Sequence, residues 1–323
     1  MGAIGKIIVG LMPIAPKFLV KRIAGRYVAG SNLESAIDLM KNMSKEDACF
    51  TIDVLGEEIS DIGEARYFVD EYSRVLDLIV SNQINANISL KPTALGLLID
   101  KEVALSNIEE IMKKAALNDI FVRLDMEDHR VTQETIDVVL EMQKKGFENI
   151  GTVLQGRLFR TKEDIAEVSN KLGSLADFRI CKGIYLESGD ISYTKYQEIV
   201  DSTNECIDLM LEMGCYTAIA SHDIPIINHS LEKLSDMNMT VDIDSRDNSA
   251  GSRTGKGPGY EFQFLLGVRG SLRRKLASEG HLTRVYVPYG TKWYEYGVRR
   301  IRENPDIAWH VTKTIIMPWT NRR

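Results

Sequence analysis

Cysteine and histidine are scarce in this chain and a net positive charge is lacking, and each shortage excludes a class of function. Four cysteines in 323 residues, Cys49, Cys181, Cys206 and Cys215, form no C-x-x-C pair and show no metal-ligand spacing, so neither a disulfide framework nor a zinc site is expected. They are read as reduced thiols, Cys206 being the one whose reactivity would depend on exposure and thiolate character. The five histidines, His129, His222, His229, His281 and His310, show no H-E-x-x-H pattern and no paired spacing with carboxylates, which argues against metal catalysis. A formal net charge of −6, with no basic patch interleaved with aromatics, argues against nucleic acid, whose phosphates need a basic face. Gly255, Gly257 and Gly259 have neither a strand before them nor a helix start after them, so GKGPG reads as a flexible loop and not as a dinucleotide-binding turn. No low-complexity tract or Pro/Ser-rich linker divides the chain.

What remains is 44% hydrophobic and 27% charged, the profile of a globular enzyme long enough to bury a full core. The N-terminus is its one unusual stretch. Lys6, Lys17, Lys21, Arg22 and Arg26 precede the first acid, Glu34, and alternate with apolar residues such as Ile7, Ile8, Leu11, Phe18 and Leu19. Pro13 and Pro16 break the apolar run and no small-residue cleavage site follows, so it is neither a membrane span nor a signal peptide. Two readings stand: an amphipathic helix lying on anionic lipid, or a segment packed on the body of the protein. The first would give a cytoplasmic enzyme in peripheral contact with the inner face of the cell membrane.

From Cys49 onward, short β-branched or apolar runs alternate with amphipathic stretches, the pattern of repeated βα units around a parallel sheet. Eight runs are expected as strands: CFTIDVLG, NANISLKP, IFVRLDME, IGTVLQG, FRICKG, YTAIASH, FQFLLGV and TRVYVPYG. An alternative seventh strand is MTVDID at residues 239–244. Eight units close naturally into a (βα)8 TIM-type α/β barrel, with residues 1–47 as an N-terminal helical extension and 48–323 as the barrel domain. The interior is expected to be packed with aliphatic side chains, and the active site to lie at the C-terminal mouths of the strands.

Five of the runs carry strongly polar groups near those mouths: Lys91, Asp125, Gln155, Arg179 with Lys182, and His222 with Asp223. Each has a bland reading alone. Lys91 is a solvated loop residue, Asp125 a cap for a helix near Thr132, Gln155 a partner for a buried backbone group, His222 a hydrogen-bonded core histidine. Their coincidence on one rim favours a site, because a core gains nothing from burying such groups without partners. After the eighth run, Tyr296, Arg299, Arg300 and Glu303 fall on one helix face. That face is either an exposed ladder of ion pairs or a fork for a carboxylate or phosphate.

RICKGIYLES from Arg179 resembles the fifth-strand motif of proline dehydrogenases, whether monofunctional or fused in bifunctional proline-utilisation enzymes. DVLGEE, SLKPTALGL, RLDMED, the Gln155 strand, ASHD, YEFQFLLGV and VPYGTKWYEYGVRRIREN are similar to the family's other motifs in order, covering about residues 53–304. The resemblance implies FAD on the barrel rim and oxidation of L-proline to 1-pyrroline-5-carboxylate by hydride transfer from C5 to flavin N5, with electrons passed to a quinone. It implies that Arg299, Arg300 and Lys91 hold the proline carboxylate. Tyr286, Tyr296 and Leu265 would pack on the ring, with Ile184 nearby where most relatives have alanine, and Glu57 would pair with Arg299 as a gate. Asp125 would sit beside flavin and substrate, Arg179 near the flavin N5 edge and Gln155 near its pyrimidine edge. Cys181, Lys182, Gly183, Tyr185, Ser221, His222, Arg300 and Glu303 would contact the rest of FAD. Tyr286 favours proline over hydroxyproline, since related hydroxyproline-oxidising enzymes carry a smaller residue there. ASHD departs from the family in having Asp223 where asparagine is common.

Three rivals keep their place at this level. One is a flavoenzyme for 4-hydroxyproline or another cyclic amine, and one is a colourless barrel lyase forming a Schiff base on Lys91 or Lys182. The third is a catalytically silent scaffold.

Overall fold

The structure is a computed structural model, and it describes residues 25–46, 48–239, 259–294 and 296. Eight parallel strands form a closed barrel in sequence order: β1 Cys49–Val54, β2 Ala86–Leu90, β3 Val122–Leu124, β4 Ile150–Gln155, β5 Asp177–Cys181, β6 Tyr216–Ala220, β7 Gly259–Leu265 and β8 Thr283–Tyr289. Each coincides with an expected run. The seventh strand is the one containing FQFL, and it pairs with β6 on one side and β8 on the other. The rival segment lies outside the described residues beyond Met239, as does the greater part of the GSRTGKGPG loop.

Helix α1 (Leu33–Met43) precedes the barrel. It is followed by α2 (Ala65–Ser81), α3 (Lys101–Leu117), α4 (Thr132–Lys144), α5 (Thr161–Leu172), α6 (Tyr196–Glu212), α7 (Ile224–Asp236) and α8 (Gly270–Ser278), one after each of β1 to β7. Their starts are chemically marked. Asn32 caps α1 by accepting from the Ser35 backbone N–H at 3.0 Å, and Asp100 caps α3 through the N–H groups of Glu102 and Val103. Asp128, not Asp125, caps the turn that leads into α4. The N-terminal segment from residue 25 lies against the barrel, with Tyr27, Val28, Leu33 and Met40 buried and the Ala29 N–H donating to the Pro288 carbonyl at 2.9 Å. Residues 1–24, which carry most of the basic stretch, are outside the described residues.

Strand alternation sorts the side chains into two layers of opposite character. Outward-facing Phe50, Ile52, Val54, Ile88, Leu90, Val122, Leu124, Val285 and Val287 join helix residues such as Phe68, Val75, Ile79, Ile108 and Met112 in one buried apolar cluster. Phe178, Ile180, Ile219, Phe262 and Phe264 join Ile207, Met210 and Ile227 in a second. These two clusters, lying between strands and helices, supply the hydrophobic stabilisation, about 1.5–3 kcal/mol for each fully buried large apolar side chain.

The inner layer overturns the expectation of an aliphatic interior. Thr51 bonds Asn87 across the inside of β1 and β2. Lower in the barrel, Arg123 is ion-paired with Asp177, and Arg284 holds Glu261 by two bonds of 2.8 and 3.1 Å. All four of these ionic residues are buried. Space for Arg123 comes from Gly151 on β4, where an added Cβ would meet the Asp177 carbonyl at 2.3 Å and Arg123 Nη1 at 2.7 Å. Isolated buried charges would cost too much to persist. Here each is paired, and the two arginines are bonded further: Arg123 Nη1 donates to the carbonyls of Thr152 and Asp177, and Arg284 Nη1 to that of Phe50.

Candidate active site

The ionic interior continues upward to the strand mouths. Asp53 on β1, Ser89 on β2, Lys91 just past it, Asp125 just past β3, Arg179 on β5 and Tyr286 on β8 meet there. Lys91 Nζ donates to Asp53 Oδ1 at 2.5 Å and lies 3.5 Å from Asp125 Oδ2 and 3.4 Å from Tyr286 Oη. Asp125 accepts from Arg179 Nη1 at 2.7 Å, from Tyr286 Oη at 2.7 Å and from Ser89 Oγ. The Arg179 guanidinium also lies 5.3 Å from the Tyr286 ring centroid, within cation–π range. Lys91 is therefore a buried, paired cation and not a solvated loop residue.

Charge states follow from these contacts. Burial pushes the Asp53 carboxyl above its usual range, and the attraction of Lys91 only partly offsets this. Burial acts on Asp125 in the same direction, but Lys91 and Arg179 outweigh it and hold that carboxyl below its usual range. For Lys91, burial favours the neutral amine, yet Asp53 and Asp125 reverse the balance and keep the ammonium well above its ordinary pKa. Burial beside these two carboxylates raises Tyr286 well above the ordinary phenol value, so its hydroxyl stays protonated and donates to Asp125. A locked ammonium is a poor imine-forming amine, which weighs against Lys91 as a Schiff-base residue.

Alongside this cluster lies a second group from β4, β5 and β6. Gln155 Nε2 donates to the Glu127 carbonyl at 2.7 Å, so the bland reading of Gln155 holds for half of its amide. Gln155 Oε1 and Arg179 Nη2, both buried, have no hydrogen-bond partner among the described residues. Gly183 sits beside Gln155 with φ +92°, and a Cβ there would fall 2.5 Å from Gln155 Oε1 and 2.9 Å from Arg157 Cδ. Lys182 pairs with Asp223 and stands 5.0 Å over the Tyr196 ring. Ser221 Oγ accepts from the Asp223 N–H at 3.2 Å. His222 Nε2 lies 3.0 Å from the Leu265 N–H; a backbone N–H can only donate, so Nε2 accepts and carries no proton.

Other expected residues are placed less informatively. Tyr185 Oη approaches Glu57 Oε2 at 3.5 Å, Tyr296 is buried, and Ile184 is about half exposed on the loop after β5. Arg299, Arg300 and Glu303 lie outside the described residues, so the alternatives for that helix face stand as before. All four cysteines are free. Burial pushes the Cys206 thiol up to about 12 and raises that of Cys181, so neither is thiolate-prone. No group of three or more His, Cys, Asp or Glu residues suited to a metal ion occurs among the described residues.

Asp53, Ser89, Glu261, Gln263 and Arg284 were not among the residues expected in the site. The missed signal is period two. Asp53 follows Thr51, Lys91 follows Ser89, and Gln263 follows Glu261 at i+2, so each pair points to one face of its strand. Glu127 was missed as well: it is buried, accepts from the Thr93 N–H at 3.0 Å and Thr93 Oγ1 at 2.5 Å, and burial raises it to about 7.

Comparison with known proteins adds an independent observation. The model of the proline dehydrogenase family matches residues 36–313. Proline dehydrogenase 1 of Bacillus subtilis is 34% identical over 293 residues, spanning 91% of this chain and 90% of that one. Proline dehydrogenase of Deinococcus radiodurans is 31% identical over 302 residues, with 91% and 90% covered. Among solved structures, proline utilization A of Bdellovibrio bacteriovorus, inactivated by N-propargylglycine, superposes with a TM-score of 0.77 at 22% identity. That match covers 88% of this chain but 33% of the other, so this chain corresponds to about a third of that longer protein and the likeness concerns the fold.

Proposed function

Because the chain belongs to the proline dehydrogenase family of oxidoreductases, we propose that it oxidises L-proline to 1-pyrroline-5-carboxylate with FAD as the cofactor. The observation that carries the cofactor is the pair of unpartnered buried atoms, Arg179 Nη2 and Gln155 Oε1, beside a glycine that leaves room against Gln155. A donor and an acceptor held ready on β5 and β4 suit a heterocycle that presents both an acceptor edge and an N–H. FAD, when bound, supplies the acceptor for the hydride that proline gives up from C5.

The chain's own residues bind and orient. Lys91, ammonium under all ordinary conditions, supplies positive charge for the substrate carboxylate, with Arg299 and Arg300 completing the clamp. Tyr286, Leu265 and Tyr296 supply the wall for the pyrrolidine ring. Tyr286 is held by its bond to Asp125, and a bulky ring held at this place supports proline over hydroxyproline. Asp125 joins the substrate side to the cofactor side, since the same carboxylate holds Tyr286 and Arg179. Orientation of this kind, settled before binding, is worth several kcal/mol in the transition state. Lys182, Gly183, Tyr185, Ser221, His222 and Glu303 would line the remainder of the cofactor site, and Glu57 would pair with Arg299 as a gate on the substrate side.

No helix among the described residues is long and apolar enough to cross a membrane. A quinone is the acceptor we assign to the reduced enzyme, reached by peripheral contact through the basic N-terminal stretch. Liposome flotation with and without residues 1–24 tests that contact, and equal binding would remove it.

The deciding experiment is the visible spectrum of the purified protein before and after anaerobic addition of L-proline. Flavin bands that bleach with proline establish cofactor and substrate together. Flavin that stays oxidised with proline but bleaches with another cyclic amine keeps the cofactor and changes the substrate. Protein that neither contains nor takes up FAD overturns the proposal.

A further inference from the structure

Beneath Arg179 the barrel interior contains a chain of hydrogen bonds whose polarity allows one arrangement only. Arg179 Nε donates to Gln263 Oε1 at 2.5 Å, and Gln263 Nε2 donates to Glu261 Oε1 at 2.5 Å. Glu261 is gripped by Arg284 through two bonds, and Arg284 is tied to the Phe50 carbonyl at 2.7 Å. A guanidinium can only donate and a carboxylate can only accept. Gln263 must therefore turn its oxygen to Arg179 and its NH2 to Glu261; the flipped amide would oppose donor to donor and acceptor to acceptor.

We propose that Gln263 is a positioning residue for the oxidation, setting the plane of the Arg179 guanidinium from below through an amide whose direction Glu261 and Arg284 dictate. This rests on the reading that Arg179 faces the flavin. Gln263 is itself buried beneath the site, with both amide atoms engaged in the interior. Arg179 is anchored on two different nitrogens, Nε by Gln263 and Nη1 by Asp125 at 2.7 Å. Two anchors fix the plane of a rigid fork. Nη2 is the one nitrogen left without a partner among the described residues, and the two anchors determine where it points. Without Gln263 the remaining hydrogen bonds of the guanidinium fall on Nη1 alone, to Asp125 at 2.7 Å and Ser89 Oγ at 3.4 Å, so the group could turn about that nitrogen, and a small misplacement of a group aimed at a reacting centre can cost as much as about a hundredfold in rate.

The test is a double-mutant cycle with Gln263→Leu and Arg179→Met, read by stopped-flow flavin reduction under saturating anaerobic proline and by the flavin midpoint potential. Gln263→Leu is expected to slow reduction about tenfold or more, to move the potential in the direction that Arg179→Met moves it, and to leave the KM for proline within about twofold. Placed on Arg179→Met, it should cost less than about twofold further, because the residue it positions is gone. Equal losses in both backgrounds, or a wild-type rate and potential in Gln263→Leu, overturn the proposal. If Arg179→Met alone leaves rate and potential unchanged, the underlying reading of Arg179 fails and the proposal with it, a result distinct from an inert Gln263.

Should Gln263→Leu not fold, Gln263→Met keeps the length of the side chain and enters the same cycle. Gln263→Glu adds a test of polarity. In its acid form the introduced carboxyl has the donor and acceptor of the amide; ionised, it opposes Glu261. Its rate relative to wild type should fall as pH rises, and a deficit that does not change with pH overturns the claim that amide direction is what matters.

Discussion

Replacing Lys91 with methionine separates what that residue does for the fold from what it does for the substrate. Asp53 is wholly buried, its Oδ2 has no partner among the described residues, and Lys91 at 2.5 Å is the cation bonded to its Oδ1. Removing the ammonium while the carboxylate stays should cost about 3–5 kcal/mol, the usual penalty for breaking a buried pair from one side. Asp53 can escape by binding a proton. Its folded pKa, already raised by burial, rises further in Lys91→Met. A group whose folded pKa exceeds its unfolded value contributes stability that is fully present below the unfolded pKa and is lost as pH rises through the folded one. The defect should therefore be smallest in acid and grow toward neutral pH. Adding Asp53→Asn removes both charges at nearly constant shape, so most of the stability should return and the pH slope should vanish. Asp125 is held by Arg179 and Tyr286 at 2.7 Å each, contacts that neither substitution removes, so the rest of the cluster should stay in place. Proline affinity should not return with stability: a lost charged hydrogen bond to the substrate carboxylate, about 2–3 kcal/mol, predicts a KM about 30- to 150-fold higher in single and double variants alike. Urea denaturation at pH 5 and pH 8, with proline titrations of flavin reduction, measures both. A double variant that regains proline affinity along with stability would make Lys91 a structural residue only, and a single variant whose defect ignores pH would refute the account of Asp53.

Burial raises Glu127 from 4.5 to about 7 against the pull of Thr93, so its contribution to stability is present below the unfolded value and is lost as pH rises through about 7, amounting to about 3 kcal/mol in all. Wild type should lose about 2 kcal/mol between pH 5.5 and pH 8 relative to Glu127→Gln; parallel urea midpoints for the two proteins would contradict this. Gly151→Ala sets a methyl 2.3 Å from the Asp177 carbonyl and 2.7 Å from the buried Arg123, and should cost about 3 kcal/mol through overpacking and disturbance of the Arg123–Asp177 pair. A loss below about 1 kcal/mol in urea would show that β4 can move aside and does not need a glycine there.

The strands were legible because their outer faces carry the message. Phe50, Ile52 and Val54, or Val285 and Val287, are buried against helices and stand out as apolar, and the intervening helices repeat at the interval a parallel crossover requires. The inner face was not legible by the same rule, since a search for apolar runs discards the very residues that fill it. Thr51 and Asp53, or Glu261 and Gln263, look like interruptions of a run until their spacing of two is taken as a direction. Lys91, Asp125, Arg179 and Tyr286 could be named as members of one site, yet their mutual contacts could not, because a partner on another strand depends on barrel closure and register. Asp53 shows the limit most plainly. It sits in the quoted first-strand motif, but its role follows from the approach of Lys91, 38 residues away in sequence.

A barrel filled with ion pairs is an expensive choice if stability is the only criterion, since buried pairs replaced by well-packed apolar groups often leave a protein as stable or more so. The apolar material that stabilises this fold lies almost wholly between strands and helices, which leaves the interior free to carry charge. From Arg284 through Glu261, Gln263, Arg179, Asp125 and Lys91 to Asp53, cations and anions alternate, with one neutral amide between two groups of opposite sign. An alternating chain of this kind cancels its own field at a distance while fixing each dipole close at hand. Groups held this way need no reorganisation when charge shifts in the reaction, whereas the same groups on flexible loops would relax and lose that advantage. The interior is thus better explained as a preorganised support for the strand mouths than as a core.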